Sequence, residues 1–402
     1  MRVLLSGYTC DPNGGSEAAN TWYTALELAR AGAQVHLLTR ETDADQVEDG
    51  LASQSNIAID LSVSFLSDQV QTRALSRGQV GVYARYWSFQ RRVAQWAMGH
   101  QGEWDVAHHV SWGSINHPVG LAGRARPLVV GPVGGGQRLL PDLKCWIDGR
   151  PPADRLRNLM LGQSLLPNPW TRAVATHSDL VLVANEETAS IARRAGAPGV
   201  VHMPPDGIAR RPHAVPGAPH DELIVWLGRF LPIKAAGLAI RAFREMLALT
   251  PDARMVMVGD GPTHDEIRRQ AADLAAARLV TFTGALPWRD AMDILRLARV
   301  HLFTSVRDTF GAQVIEAAAL GVPTVGLDLA GLHSLSGNSA VELVSPLPAE
   351  SLPGRIAGAL TQVLSEDRAT WESRRRSALV YAGSLTYRNK ADTYLNLYRG
   401  LH

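Results

Sequence analysis

Residues 300–325 read VHLFTSVRDTFGAQVIEAAALGVPTV, and this is the most informative stretch of the chain. A predicted apolar strand ends at Phe303, and two carboxylates follow it: Asp308 in the loop and Glu316 in the next helix, with the Phe310–Gly311 turn between them. Open α/β sheets bind ligands where a strand ends and a helix begins, because strand ends leave a crevice and the helix start presents free N–H groups. Two carboxylates there can hold different hydroxyls of a polyol. The stretch therefore predicts a site for a sugar or a ribose.

A complementary set of groups lies about eighty residues upstream. The apolar run Leu223–Leu227 predicts a buried strand, and Gly228, Arg229 and Lys234 follow it. A glycine at a strand end lets the backbone approach a ligand, and the two cations supply fixed positive charge. Between the two stretches, another predicted strand runs into a Gly-rich turn that begins with Gly259. Acids for hydroxyls and cations for a diphosphate, on successive strand ends, predict a nucleotide-sugar site.

These elements resemble the retaining glycosyltransferases of family 4, which have the GT-B fold. The resemblance runs over nearly the whole chain and is densest from Leu223 to Leu329. The family's paired-acid motif corresponds to Asp308 through Glu316, and its diphosphate-binding motif corresponds to Gly228, Arg229 and Lys234. The resemblance implies an α/β chain with two doubly wound parallel-sheet (Rossmann-like) domains that face each other across a cleft. It also implies a C-terminal helix that crosses back to the first domain.

The chain departs from the family's pattern at two places. The family more often has Glu where this chain has Asp308, and a shorter acid would have to approach the donor sugar more closely. The family also usually follows its lysine directly with glycine, whereas Lys234 precedes Ala235, Ala236 and Gly237. The second departure changes the local backbone and leaves the charge in place.

Alternating strand and helix patterns independently predict two parallel, doubly wound sheets. We expect an acceptor-binding domain over 1–205, a nucleotide-sugar-binding domain over 206–385, and a helix over 386–402 that packs back on the first domain. The Pro/Gly-rich passage 204–219 is the predicted interdomain linker. Within the last helical stretch, the pattern predicts an exposed face with Arg374, Arg375 and Arg376.

The first half offers candidate groups for the acceptor side. Gly14–Gly15 follows the first predicted strand, and the next helix contains Glu17. The two glycines either form a simple turn or hold a phosphate or acceptor close, and Glu17 either lines the site or only complements the helix dipole. By resemblance, Gly15 belongs to a Gly-rich loop of the donor site and Glu17 to the acceptor side. Gly134 and Gly135, in a loop after a predicted strand, are also expected on the acceptor side.

Adjacent histidines occupy the end of another predicted strand. His108 and His109 should point to opposite faces of the sheet, so one enters the core and the other reaches the cleft. The resemblance implies a histidine against the donor sugar, but the family's commonest spacing falls on Val110. We assign this catalytic role to His109 and a structural one to His108. A metal site formed with His117 would match no zinc spacing and includes no cysteine, so we predict no metal.

The composition is that of a soluble two-domain protein. The chain has 402 residues, 46% hydrophobic content, a net charge of +2 and two cysteines. This balance predicts no nucleic-acid partner and no disulfide framework, and therefore a reducing compartment. The N-terminus enters a predicted strand at once, without the apolar core of a signal peptide. We expect a cytoplasmic protein.

The segment 73–96 mixes arginines with aromatic residues and allows two interpretations. It could lie on an anionic membrane surface, which would place the protein peripherally at the inner membrane face beside a lipid-linked acceptor. Alternatively, it is a helix that packs its aromatic residues inward, which is the interpretation that we favour.

Together these features predict a retaining hexosyltransferase that uses no cofactor. It would move a sugar from a UDP- or GDP-linked donor to an acceptor hydroxyl in polysaccharide, glycolipid or secondary-metabolite biosynthesis. Arg229 and Lys234 would stabilise the leaving diphosphate in place of a metal, Asp308 would hold the donor sugar, and Glu316 would hold the ribose. Two other classes remain open: a sugar-nucleotide epimerase on the same fold, and a two-domain sugar-binding protein without chemistry.

Overall fold

A computed structural model describes residues 1–54, 58–70, 78–149, 168–209 and 220–401 of the chain. It divides into two compact units. The first unit comprises the described parts of Met1–Gly136, Ser164–Ala209 and Thr386–His402, and the second comprises those of Gln137–Gln163 and Arg210–Leu385. The domain predicted over 1–205 therefore includes one described segment, 137–149, that packs with the second unit. The reason is that Leu139 and Leu143 are buried in the second unit's core.

The first unit is built on a seven-stranded sheet of parallel strands, in the order β3-β2-β1-β4-β5-β6-β7. The sequence pattern predicts six of its strands, near 3–5, 35–38, 106–108, 128–130, 180–183 and 200–202, and misses β3. Alternating serines interrupt the apolar run of β3 at the sheet edge, where one face needs no covering. The strands are β1 Arg2–Ser6, β2 Gln34–Arg40, β3 Leu61–Leu66, β4 Val106–His109, β5 Leu128–Val133, β6 Leu180–Val183 and β7 Val200–His202.

The second unit contains a six-stranded parallel sheet in the order β10-β9-β8-β11-β12-β13. All six strands are predicted from the sequence, near 223–227, 254–258, 280–283, 300–303, 323–326 and 341–344. Of these, β11 and β12 are buried throughout. In each sheet the strand order reverses beside the first strand, between β1 and β4 and between β8 and β11. These are the topological switch points where α/β sheets bind ligands. The strands are β8 His220–Leu227, β9 Arg254–Val258, β10 Val280–Gly284, β11 Ala298–Phe303, β12 Thr324–Leu327 and β13 Val341–Val344.

Helices connect the strands in both units. Those of the first unit are α1 Ser16–Arg30, α2 Ala44–Ala52, α3 Gly78–Gly99, α4 Pro169–His177, α5 Glu186–Arg194 and the final helix, α14 Tyr387–Arg399. Those of the second unit are α6 Ala236–Leu247, α7 His264–Gln270, α8 Ala272–Ala276, α9 Trp288–Leu295, α10 Ala312–Ala319, α11 Ala330–His333, α12 Leu352–Ser365 and α13 Arg368–Ser384. Short 3-10 turns occur at Glu41–Asp43, Pro141–Trp146, Pro232–Lys234 and Ala349–Ser351.

The C-terminal helices differ from the sequence expectation in one respect. Arg374 does not lie on an exposed face, because its guanidinium bonds Glu366 at 2.6 Å and Glu342 at 3.0 Å. The next helix, α14, returns to the first unit, where Tyr394 and Tyr398 share a hydrophobic core with Trp22 of α1.

Helix α3 supports the inward-packing interpretation for part of its aromatic set. Tyr86 and Phe89 are fully buried, whereas Trp87 is 44% exposed. The arginines at 73 and 77, and residues 210–219 of the predicted linker, lie outside the described residues. Of the helices that the structure describes, none is long and apolar enough to cross a membrane.

Candidate active site

The predicted nucleotide residues of the second unit gather at the switch point between β8 and β11. These strands are hydrogen-bonded neighbours, with Trp226 opposite Leu302. The loops that follow them therefore start side by side. One loop carries Gly228 and Arg229, and the other leads to Asp308. Parallel pairing thus brings together groups that are about eighty positions apart in the sequence.

Lys234 and Asp308 meet directly. The lysine ends the Pro232–Lys234 turn, and its ammonium donates to the Asp308 carboxylate. The same ammonium lies 5.3 Å from the centre of the Phe303 ring, and Asp308 also accepts a hydrogen bond of 2.8 Å from the Thr309 N–H. Both side chains are largely buried, at 15% and 23% exposed. A cation and an acid predicted for separate roles therefore form one ion pair, which an arriving ligand would have to share.

Arg229 differs from this pair in being exposed. Among the described residues, its guanidinium has no hydrogen-bond or ion-pair partner. The next residue, Phe230, is fully buried against Trp226 and donates its N–H to Asp260 O at 3.0 Å. An exposed cation therefore projects from a fixed backbone. Such preorganised charge is suited to an anion because no folding interaction must be broken to use it.

Gly259 has a structural reason to be glycine. Its φ is +129°, and a Cβ there would lie 2.0 Å from the carbonyl oxygen of Gly228. The Gly259 N–H also donates to Gly284 O at 3.0 Å. The close approach of the loops after β8, β9 and β10 therefore requires this glycine, and its predicted contact with the donor stays a prediction.

The start of helix α10 forms another part of the candidate site. Gly311 precedes the helix with φ +101°, and a Cβ there would lie 2.7 Å from the Phe303 ring. Phe310 is buried, at 2% exposed, and packs against Gly331. Since Gly311 has no side chain to cap the helix, the first-turn N–H groups and the positive end of the helix dipole favour an anion here.

Glu316 lies one turn into α10 and is bonded to a residue that sequence reasoning missed. The indole N–H of Trp288 donates to Glu316 Oε1 at 2.8 Å, and Trp288 is 49% exposed. Trp288 begins α9, just after β10. The rule that predicted Asp308, a strand end followed by a helix start, would have found Trp288 had it been applied to β10 as well.

In the first unit, the switch point between β1 and β4 is enclosed. His108 Nδ1 lies 2.5 Å from the Tyr398 hydroxyl, and its Nε2 lies 2.8 Å from Gly131 O. His109 faces the other side of the sheet, 3.3 Å from Ser6 Oγ and 3.4 Å from the Tyr86 hydroxyl. Burial lowers the pKa of both histidines to about 3, so both rings are neutral at physiological pH.

The two histidines therefore differ less than the sequence predicts. His108 is in the core as expected, but His109 is also only 1% exposed. Strand alternation directs the rings to opposite faces of the sheet, and helices α3 and α14 cover both. A contact between His109 and a donor sugar stays a prediction.

The predicted acceptor-side residues converge on the loop after β4. Glu17 accepts hydrogen bonds from Gly113 N at 3.0 Å and from Ser111 Oγ at 3.4 Å. The surrounding protein partly desolvates the Glu17 carboxylate and so raises its pKa, although part of the residue remains exposed to solvent. Gly134 donates its N–H to Gly113 O at 3.0 Å. Glu17 and Gly134 thus hold the same loop from two sides.

Two further glycines of this region have different roles. Gly135 has φ +101°, and a Cβ there would lie 2.5 Å from Ser114 Oγ, so the loop needs a glycine. Gly15 precedes α1 with an ordinary φ of −65°, and a Cβ there would meet no described atom within 4 Å. Its place in the first unit leaves its predicted donor contact untested.

Aromatic rings surround the same loop. Trp112 lies 4.7 Å from the ring centre of Tyr86 and 5.9 Å from that of Tyr83, and Tyr83 stacks on His117 at 5.0 Å. Within the described ranges, no three His, Cys, Asp or Glu side chains form a group that could hold a metal ion.

Comparison with known proteins agrees with this geometry. Residues 221–366 match the family model described as Glycosyl transferases group 1. This domain spans almost all of the second unit's sheet and includes every residue of the candidate nucleotide site named above. Several relatives are named D-inositol 3-phosphate glycosyltransferase. The one from Acidothermus cellulolyticus is 27% identical over 61% of this chain and 59% of its own length. The one from Saccharomonospora viridis is 25% identical over 94% and 87%. This chain thus spans less than two thirds of the length of the Acidothermus relative.

Solved structures extend the likeness to the fold of the entire chain. HepE from Anabaena, solved in complex with UDP and glucose, superposes with a TM-score of 0.60 and 17% identity over 98% of this chain and 99% of its own. The fold is the GT-B fold of glycosyltransferases. The predicted fold class of two parallel-sheet, Rossmann-like domains is therefore confirmed.

Proposed function

We propose that this protein is a retaining hexosyltransferase of family 4 that transfers a sugar from a nucleoside-diphosphate donor to an acceptor hydroxyl. The observation that carries the proposal is the Lys234–Asp308 ion pair, which joins the loops after the neighbouring strands β8 and β11. The exposed Arg229 lies on the first of these loops, and the uncapped start of α10 follows the second. This combination presents two cations and a helix dipole to a diphosphate and an acid to sugar hydroxyls. The acceptor belongs to polysaccharide, glycolipid or secondary-metabolite biosynthesis.

The chemistry follows from where charge develops. When the glycosidic bond breaks, negative charge grows on the diphosphate. The exposed Arg229, and Lys234, which exchanges Asp308 for phosphate oxygens, would stabilise it. Released from the lysine, the Asp308 carboxylate is free to accept hydrogen bonds from donor hydroxyls. The acceptor oxygen then bonds to the anomeric carbon on the face that the diphosphate leaves, and its proton passes to an oxygen of the departing diphosphate. Attack on this face retains the anomeric configuration. Two protein cations supply the charge that a metal would otherwise provide.

The nucleoside end is assigned to Glu316 and Trp288. The Glu316 carboxylate is fixed by the Trp288 indole and would accept hydrogen bonds from the ribose hydroxyls. The exposed face of the same indole provides a surface on which a base can stack, an interaction of about 1–3 kcal/mol. Stacking tolerates different bases, so both UDP and GDP remain candidate nucleotides.

The proposal is tested by nucleotide binding with a matched pair of ligands. Isothermal titration with UDP, GDP and their 2′-deoxy analogues should show micromolar binding of one of the two families. Removing the 2′-hydroxyl should weaken binding to the wild type by about tenfold or more, since a hydrogen bond to a charged group contributes about 1.5–3 kcal/mol. Glu316→Ala should bind both forms with equal, reduced affinity. If no nucleotide binds, the protein is a sugar-binding protein without this chemistry.

Product analysis separates the remaining classes. Incubation of the nucleotide-sugar that binds, without acceptor, should give only slow hydrolysis, whereas an epimerase would convert the donor. Nuclear magnetic resonance of the transferred product should show the donor's anomeric configuration, and an inverted product would contradict the assigned mechanism. We expect a chelator to leave the transfer rate unchanged.

A further inference from the structure

The segment that leaves the first unit after Gly136 is anchored firmly on the second. Leu139 and Leu143 are buried in the second unit's core, at 6% and 0% exposed. Farther along, the indole N–H of Trp146 donates to Ala349 O at 3.0 Å. We call residues 137–148 the strap. Its two end residues, Gln137 and Asp148, are polar and yet only 7% and 8% exposed.

The Asp148 end of the strap bonds the turn that carries Lys234. Helix α6 begins after Ala235, whose methyl side chain cannot cap a helix. Asp148 Oδ1 instead accepts from the Gly237 N–H at 3.1 Å. The Asp148 N–H donates to Pro232 O at 3.1 Å. Asp148 therefore bonds the residues before and after Lys234, although it lies almost ninety positions earlier in the sequence.

The Gln137 end of the strap bonds the opposite loop. Its side-chain amide donates to Thr309 Oγ1 at 2.9 Å, and Thr309 is the residue after Asp308. The strap thus contacts the loops of both partners of the Lys234–Asp308 pair. A segment that served only to cover the core would need its leucines and tryptophan, and neither of these two buried polar contacts.

We propose that the strap positions the donor-binding residues, with Asp148 holding the turn of Lys234 and Gln137 holding the loop of Asp308. The inference rests on the proposed function for what those two residues bind. Asp148 acts through Lys234, so it is a positioning residue and touches no substrate. Its second carboxylate oxygen is buried and has no hydrogen-bond partner within the described part of the chain. Burial raises the pKa of Asp148 to about 7, so an uncharged amide at this position is a close substitute.

The test compares two helix caps of the same unit. Asp148→Ala removes the cap of α6, and Asp367→Ala removes the cap of α13, where Asp367 accepts from Thr370 N at 2.8 Å. Both variants should lower the Tm by similar amounts, because loss of a cap has a similar cost in either helix. Only Asp148→Ala should weaken UDP or GDP binding, by about tenfold, and raise the donor KM. Asp148→Asn keeps an accepting oxygen and should bind within about threefold of the wild type.

The outcomes separate this inference from the function on which it rests. Equal Tm losses with an unchanged Kd in Asp148→Ala would overturn the positioning role while Lys234→Ala still abolished binding. If the wild type bound neither UDP nor GDP, the proposed function would fail first. Should Asp148→Ala not fold, Gln137→Ala tests the other end of the strap. A donor KM raised about threefold supports the inference, and an unchanged KM overturns it.

Discussion

The two switch points have the same strand topology but differ in the charge and exposure of their side chains. In the second unit, the strand ends after β8 and β11 carry charged groups: Arg229 is exposed, and Lys234 and Asp308 keep some exposure. In the first unit, the last two residues of β4, His108 and His109, are buried, neutral rings. Under the proposed function, we therefore expect electrostatics to govern donor binding at the second unit and shape to govern acceptor binding at the first. Substitutions at the two switch points should therefore differ in their effects on activity and stability.

The largest expected effect concerns charge in the second unit. Arg229→Ala should lower kcat by roughly a hundredfold or more, because a preorganised group that stabilises developing negative charge typically contributes that much. Its Tm should not change, since no described residue bonds its guanidinium. Steady-state kinetics with the donor that binds, together with a melting curve, measure both effects. Arg268→Ala, at an exposed position on α7 of the same unit, is the matched control and should retain full activity. A fall in Tm with normal kcat would show that Arg229 is structural.

The second prediction compares the glycines that precede helices at the two switch points. Gly311→Ala should destabilise the protein by about 2 kcal/mol or more, because a left-handed backbone costs alanine about 1–2 kcal/mol and the methyl would meet Phe303 at 2.7 Å. Gly15→Ala should change the stability by less than about 0.5 kcal/mol, since its φ is ordinary and no described atom lies within 4 Å of the added methyl. Urea unfolding measures both. Equal losses would contradict the view that, of these two positions, only Gly311 sterically requires a glycine.

The sequence predicted the second unit better than the first for a physical reason. A charged motif after a buried strand is visible locally, so Arg229, Lys234 and Asp308 could be placed on neighbouring strand ends. Enclosure of His109 depends on Tyr86, which lies on a helix more than twenty positions away, and no local pattern records that contact. The strap was missed for the same reason. Asp148 caps a helix that begins almost ninety positions later, whereas sequence rules find caps only next to their helices.

The third prediction separates the two units by pH. A buried histidine with a pKa of about 3 stays neutral when folded, while the unfolded chain binds a proton below about 6.5. Stability therefore falls as the pH drops from 6.5 towards 3, by up to about 1.4 kcal/mol per pH unit for each histidine. The first unit contains His108 and His109. Glu17, whose pKa is raised, opposes this loss only in part, because it remains exposed to solvent.

In the second unit the opposing terms nearly balance. His301 has a pKa of about 3 and destabilises the folded unit as the pH falls. Asp148 has a pKa of about 7, raised above its unfolded value, so it stabilises the folded unit as the pH falls from 7 towards 4. Hydrogen exchange at pH 6.5 and 5.0, corrected for intrinsic rates, should show weakened protection mainly in β1 and β4. Equal losses in β8 and β11 would contradict this assignment.

The smallest expected effect is that of Ala235→Gly, at the turn that precedes α6. Ala235 is fully buried with φ +50°, a left-handed conformation that costs alanine about 1–2 kcal/mol and glycine almost nothing. Against this relief, glycine loses a buried methyl of about 0.8 kcal/mol and raises the entropy of the unfolded chain by a further 0.4–1 kcal/mol, roughly. The net change in unfolding free energy should therefore lie within about 1 kcal/mol of zero. The donor KM should also stay unchanged, because the Thr304 hydroxyl lies 2.9 Å from Lys234 O and 3.1 Å from Ala235 O and holds this backbone without the methyl. Urea unfolding and donor kinetics measure the two quantities. A donor KM raised tenfold at unchanged stability would mean that the alanine methyl itself orients Lys234. The turn, rather than the strap, would then position the lysine ammonium of the second unit.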